Sequence, residues 1–162
     1  MTSHGPTDFL TLEDILEIAN GVLPEVGVRD MGLLESACAR PQTTVFGDPA
    51  YPGLSEQAAA LIHSLARNHA LVDGNKRLAW SGMKVFLLMN GVRLTYTVDD
   101  AEELVLQIAR GDIDVPDITV WIDQHTNLVD RQLRSRLTDL AASVRGGSLS
   151  GAAPHVKRIA GD

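Results

Sequence analysis

Cys38 is the only cysteine in a chain of 162 residues. No second thiol is present to bridge it, and no Cys/His spacing around it suggests a metal. It reads as a small core residue on one helix face with Leu33, Leu34 and Ala37. Aromatic residues are scarce too, at 4% of the chain against 44% for all hydrophobic types. The core must then come from aliphatic side chains and alanine, a composition that favours packed helices over a β-sandwich. Long apolar runs are also missing. Lys84 interrupts the longest one far below membrane-spanning length, and the start, MTSHGPTDFL, lacks a charged region followed by an apolar one. These absences predict an all-α, mostly helical fold in a soluble, cytoplasmic protein with no membrane partner.

Cations are scarce in most of the chain. Residues 1–127 hold eight Lys/Arg against 18 Asp/Glu, whereas residues 128–162 hold six against three. An acidic body is repelled by a nucleic-acid backbone, so no direct nucleic-acid partner is expected. The length suits one domain. The predicted organisation is a body over 1–127, a basic amphipathic helix over 128–144, and a linker-like, flexible tail over 145–162 that contains GGSLSGAAP.

Within the body, Thr11 followed by Asp14 has the spacing of a capping box. Leu12, Ile15, Leu16, Ala19, Val22 and Leu23 then recur at helical intervals. Asp30 can cap a second helix, which Pro41 stops. Gly47, Pro49, Pro52 and Gly53 punctuate a β-prone run over 43–53, read as a surface loop or small hairpin. A third helix starts at Ser55, and a fourth runs from about Lys76 to Asn90, apolar nearly all round and therefore central. Val92, Leu94, Tyr96 and Val98 alternate with polar residues as a short strand. Two more helices follow, the second entered through Pro116. Beyond Asn127, Val129, Leu133, Leu137, Leu140 and Val144 form a stripe beside Arg131, Arg134 and Arg136, expected to pack on the body.

Between the third and fourth helices lies HALVDGNKR, residues 69–77, which holds Lys76 and Arg77 and is preceded by Arg67, so that three of the body's cations gather about it. A Gly-Asn pair just before a buried helix turns backbone N–H groups outward at the positive end of the helix dipole, which suits phosphate. Lys76 adds a point charge and Arg77 a planar fork able to grip two oxygens. Asp73 is suited to Mg²⁺, which usually takes one or two carboxylates plus phosphate oxygens and water. His69 is the side chain here suited to take a proton from an alcohol near neutrality. Together these describe transfer of a phosphorus group from a nucleotide. A plainer reading uses the same residues: Asp73-Gly74-Asn75 is ordinary turn chemistry, the cations are solvated, and the histidine caps a helix. Spacing alone does not choose between the two.

HALVDGNKR resembles the active-site motif of the Fic/Doc superfamily, His-Pro-Phe-x-Asp/Glu-Gly/Ala-Asn-Gly/Lys-Arg. Residues 29–42 (RDMGLLESACARPQ), 58–79 (AAALIHSLARNHALVDGNKRLA) and 86–91 (FLLMNG) resemble its death-on-curing (Doc) branch. The resemblance runs in order over roughly residues 9–126. It implies a helical bundle with a small β-hairpin, the flap, over the site, here Gln42 to Gly53. It also implies His69 as general base, Asp73 as Mg²⁺ ligand, and Gly74, Asn75, Lys76 and Arg77 around the phosphates of ATP. Doc-branch members resemble toxins that phosphorylate a threonine of elongation factor Tu, arrest translation and are neutralised by a Phd-type antitoxin. Related functions are transfer of AMP, or an inactive binding module on the same fold. Ala70 and Leu71 stand where the pattern has proline and phenylalanine, which predicts a less rigid loop with a smaller anchor. The inhibitory Ser/Thr-x-x-x-Glu-Gly/Asn helix of many Fic proteins has no match here, so restraint is expected from a separate antitoxin.

Overall fold

The computed structural model describes residues 5–128 and 131–146, so the expectation for a tail over 145–162 falls almost wholly outside the described residues. Helix α1 (Leu12–Val22) begins at the anticipated capping box. The Thr11 hydroxyl accepts from the Asp14 N–H at 3.1 Å, and the Asp14 carboxylate accepts from the Thr11 N–H at 2.9 Å. Helix α2 (Met31–Ala39) starts at Asp30, whose side chain accepts from the Leu33 N–H. Leu34, Ala37 and Cys38 face inward as expected, but Leu33 is exposed, because it lies on the outer side of this short helix. Burial, with Asp14 and Glu35 nearby, pushes the Cys38 thiol up to about 11, so it is no ready nucleophile.

A 3-10 turn (Arg40–Gln42) leads into a hairpin of β1 (Thr44–Val45) and β2 (Asp48–Pro49), with Thr44 opposite Pro49 and Val45 opposite Asp48. Its two central residues, Phe46 (φ +50°) and Gly47 (φ +84°), both adopt left-handed backbone, the signature of a type I′ turn. All four strand residues are exposed, and so is Phe46 at the tip.

Helices α3 (Leu54–Arg67) and α4 (Asn75–Met89) form the centre. Four alanines of α3, at 58, 59, 60 and 66, are buried and let its neighbours approach closely. On α4, a Cβ at Gly82 would stand 3.1 Å from Leu65 of α3 and 3.2 Å from Ile15 of α1, so the three helices pack closely there. Phe86, Met83, Leu78 and Leu87 fill the core beneath. Asn90, 4% exposed, ends α4. Its amide accepts from the Asp8 N–H and donates to the carbonyls of Asp8 and Phe86, at 2.8–2.9 Å. Asn90→Ala leaves these groups unpaired. It is expected to cost about 2 kcal/mol, or roughly 4–8 °C of melting temperature by circular dichroism.

Strand β3 (Val92–Leu94) is shorter than the alternation suggested. The chain leaves it because Thr97 and Asp100 form a second capping box, which makes exposed Val98 the first residue of α5 (Val98–Arg110). Helix α6 (Val115–Gln124) follows, and β4 (Thr126–Leu128) returns antiparallel to β3, Leu94 opposite Thr126. That pairing carries ordered body structure through residue 128, across the anticipated boundary at 127. Helix α7 (Arg131–Gly146) lies beside α1 and α4 around a groove of ≈ 780 Å³ floored by Leu10, Ile18, Val85 and Met89. The expected packing stripe is half-buried at Leu137, while Leu140 and Val144 are exposed; the side chain of Leu133 lies outside the described residues. Among the described residues, no helix is long and apolar enough to cross a membrane.

Candidate active site

The loop between α3 and α4 is built as a rigid ledge. Asn68 ends α3 and donates its amide to the Leu33 carbonyl, and His69 then takes a left-handed conformation (φ +51°) that redirects the chain. Such backbone costs a residue with a Cβ on the order of 1 kcal/mol or more and persists only where its flanks hold it. Here both flanks are held. Ala70 and Leu71 are buried, the Ala70 carbonyl accepts from Arg29 N–H (2.8 Å) and Asp30 N–H (3.1 Å), and Val72 N–H donates to the Gly27 carbonyl at 2.8 Å. Val28 bridges Leu71. The loop is therefore fixed by strand-like pairing with residues 27–30, and Leu71, 1% exposed, serves as its anchor in the core despite being smaller than the expected phenylalanine. His69 is left exposed on this ledge.

Gly74 makes the turn into α4 with φ +87°, and a Cβ there would come within 2.5 Å of Leu23. Glycine meets both demands. The Asp73 carboxylate folds over this turn and accepts from the Gly74 N–H at 2.8 Å. No side chain caps α4, so the N–H groups of Asn75, Lys76 and Arg77 have no acceptor within the helix. These orphan donors and the helix dipole make an anion seat, beside which Lys76 and Arg77 are exposed.

The Asn75 side chain points back instead. Its Oδ1 accepts from the Leu71 N–H at 2.9 Å and its Nδ2 donates to the Leu71 carbonyl at 3.0 Å, which clamps the ledge to the first turn of α4. A phosphate contact from Asn75 would thus come from its backbone N–H. Arg67 does not join the cluster that its place in the sequence suggests. Its guanidinium reaches the carbonyls of Ile108 and Ala109, at 3.3 and 3.4 Å, and caps the end of α5.

Sequence reasoning did not find the cavity beside the seat. Lys76, Arg77, Trp80, Tyr96, Val98, Ala101 and Glu102 line a space of ≈ 500 Å³ between α4 and α5. Trp80, on the central helix α4, is half-buried, packs against the core and also walls this cavity. Its ring meets Tyr96 edge-on at 4.8 Å and Trp121 at 6.0 Å. The available signal was the four-residue interval from Lys76 to Trp80, which stacks both on one helix face. Among the described residues no group of three or more His, Cys, Asp or Glu is assembled into a metal cage. The one carboxylate at the seat suits a cation that draws its remaining ligands from phosphate and water.

Two relatives match most of the chain. It is 53% identical over 117 residues to Toxin Doc of Mycolicibacterium smegmatis, covering 69% of this chain and 88% of that protein. It is 30% identical over 118 residues to Protein kinase doc of Escherichia phage P1, covering 73% of this chain and 90% of that protein. Residues 9–87 match the Fic/DOC family, and they hold the His69 ledge, the Gly74 turn and most of α4. With 53% identity to one such relative over 117 residues and the helical fold with its small hairpin in place, the chain belongs to the Fic/DOC family.

Proposed function

We propose that the chain is a Doc-type toxin that moves the γ-phosphoryl group of ATP to a serine or threonine hydroxyl of a protein, elongation factor Tu, and so arrests translation. A Phd-type antitoxin would restrain it in the cytoplasm. The observation that carries this reading is the exposed His69 on a rigid ledge beside an uncapped helix N-terminus flanked by Lys76 and Arg77. The names of the two relatives, a toxin and a protein kinase, support the same class.

In this reading His69 accepts the hydroxyl proton as the oxygen attacks phosphorus, the bond from γ-phosphorus to the bridging oxygen breaks, and ADP leaves. The N–H groups of Asn75, Lys76 and Arg77 hold the phosphate oxygens, with the two side-chain charges added where negative charge gathers. Mg²⁺, when bound, would neutralise phosphate charge, and Asp73 is the residue that would hold it, through the oxygen not engaged by Gly74. The aromatic cavity past Arg77 is proposed to take the nucleoside base.

Transfer of AMP is the competing chemistry, since AMP-transferring members have glycine where Lys76 stands and arginine where Trp80 stands. Lysine narrows the seat and puts a point charge on the terminal phosphate. Purified protein incubated with ATP, Mg²⁺ and elongation factor Tu is expected to add the mass of one phosphate and release ADP. Attached AMP with released pyrophosphate would overturn the assignment, and absence of any transfer would favour a binding module. Lys76→Gly is the substitution expected to shift products toward AMP.

A further inference from the structure

Four side chains outside the ledge meet at the foot of the hairpin. Arg40 donates from Nε to the Tyr51 hydroxyl at 3.1 Å, and from Nη1 to Ser64 Oγ at 3.0 Å and His63 Nδ1 at 2.7 Å. The guanidinium also lies over the Tyr51 ring, 5.6 Å from its centre. Arg40 precedes β1 and Tyr51 follows β2, so one side chain gathers both legs of the hairpin. It ties them to α3 about one turn before that helix ends and the His69 ledge begins.

The bond to His63 carries a condition. A guanidinium only donates, so Nδ1 must keep a lone pair. The imidazole is therefore neutral, with its proton assigned to Nε2, which lies 3.8 Å from the Asp114 carboxylate. A second proton would place an N–H on Nδ1 against the guanidinium N–H at the 2.7 Å contact, two donors and two positive charges face to face. That contact cannot survive protonation.

We infer that Arg40 is a positioning residue for the hairpin and that His63 is its proton-sensitive acceptor: neutral, it keeps the hairpin clasped to α3; protonated, it lets go. The consequence for catalysis rests on the proposed phosphoryl transfer, with the hairpin, the flap that the resemblance implies, taken to hold the acceptor segment toward His69. The groups around His63 are Arg40 from the 3-10 turn, Asp114 from the start of α6, and Arg67 on α3 itself. Burial and the two arginines hold the imidazole below its usual value, while Asp114 opposes them. A folded value lowered in this way means that the contribution is complete above about 6.5 and is lost as pH falls through the lower, folded value.

Hydrogen exchange of the hairpin in the full chain tests the clasp, read at the Ala50 N–H that donates to the Thr43 carbonyl at 2.8 Å. After correction for intrinsic rates, protection is expected to fall by about tenfold or more between pH 7.5 and 5.0. His63→Asn offers an acceptor that does not titrate and should hold protection at both pH values, whereas Arg40→Ala should lose it at both. Protection independent of pH in the wild type, or unchanged in Arg40→Ala, overturns the clasp. Should Arg40→Ala fold poorly, the comparison of wild type with His63→Asn alone decides. With elongation factor Tu as acceptor, Arg40→Ala should raise KM for the protein and not for ATP. A normal protein KM alongside lost protection would leave the clasp standing and overturn the hairpin as acceptor seat.

Discussion

Replacing His69 with alanine is expected to reduce phosphoryl transfer to elongation factor Tu by about a hundred- to ten-thousandfold, the usual worth of a positioned general base. Affinity for Mg²⁺-ATP should stay close to wild type, because the anion seat consists of backbone N–H groups of Asn75, Lys76 and Arg77 that His69 does not touch. His69 occupies left-handed backbone, so alanine there also loses some stability. Asparagine enters that region more readily than most residues, and His69→Asn is the variant that removes the base with least backbone cost. Asp73→Ala should behave the opposite way, weakening Mg²⁺-nucleotide binding first. Single-turnover transfer and calorimetric titration with ATP separate the two effects. Substantial transfer by His69→Asn would remove the histidine from the mechanism.

What could be read from the sequence was mostly local. The caps at Thr11 and Asp30 satisfy N–H groups three positions away, a strong local preference that decides where these helices begin. The box at Thr97 is just as local, but the apolar alternation around it hid it behind the reading of a longer strand. The turn into α4 is legible for the same reason: Asp73, Gly74 and the following helix define the anion seat within a few residues. Contacts between distant segments left no pattern. Strand β4 is three residues long and acquires its structure only from β3, on the far side of α5 and α6. The ledge depends on residues 27–30, whose backbone pairs with Ala70 and Val72 independently of side-chain identity. Arg67 misleads because nearness in sequence is not nearness on a helix: the last turn of α3 turns it toward the end of α5. Arg40 and His63 carry no motif at all, and only the return of the hairpin onto α3 brings them together.

Asn75→Ala is expected to lower both stability and transfer while leaving every charged group in place. The resemblance assigns Asn75 to phosphate, but its side chain spans both backbone groups of Leu71, a residue buried to 1% exposure. Alanine would strand a donor and an acceptor with little access to water, at about 3 kcal/mol together, equivalent to roughly 6–12 °C in melting temperature. It would also free the ledge to drift, and a misplacement of about 1 Å at the attacking group can cost a hundredfold in rate. The variant should therefore melt early and transfer slowly, yet retain much of its ATP affinity, since its own N–H still faces the seat. Asn75→Asp separates the two duties of this position. Its carboxylate still accepts from the Leu71 N–H but has nothing to donate to the Leu71 carbonyl, now 3.0 Å from a negative charge. That charge also sits at the mouth of the anion seat. Favourable interaction with the helix dipole should make Asn75→Asp the more stable of the pair, and repulsion of phosphate should make it the weaker ATP binder. Thermal melting with and without Mg²⁺-ATP reads both properties at once. If Asn75→Ala melts with the wild type and transfers at its rate, the clamp on Leu71 does not hold the ledge.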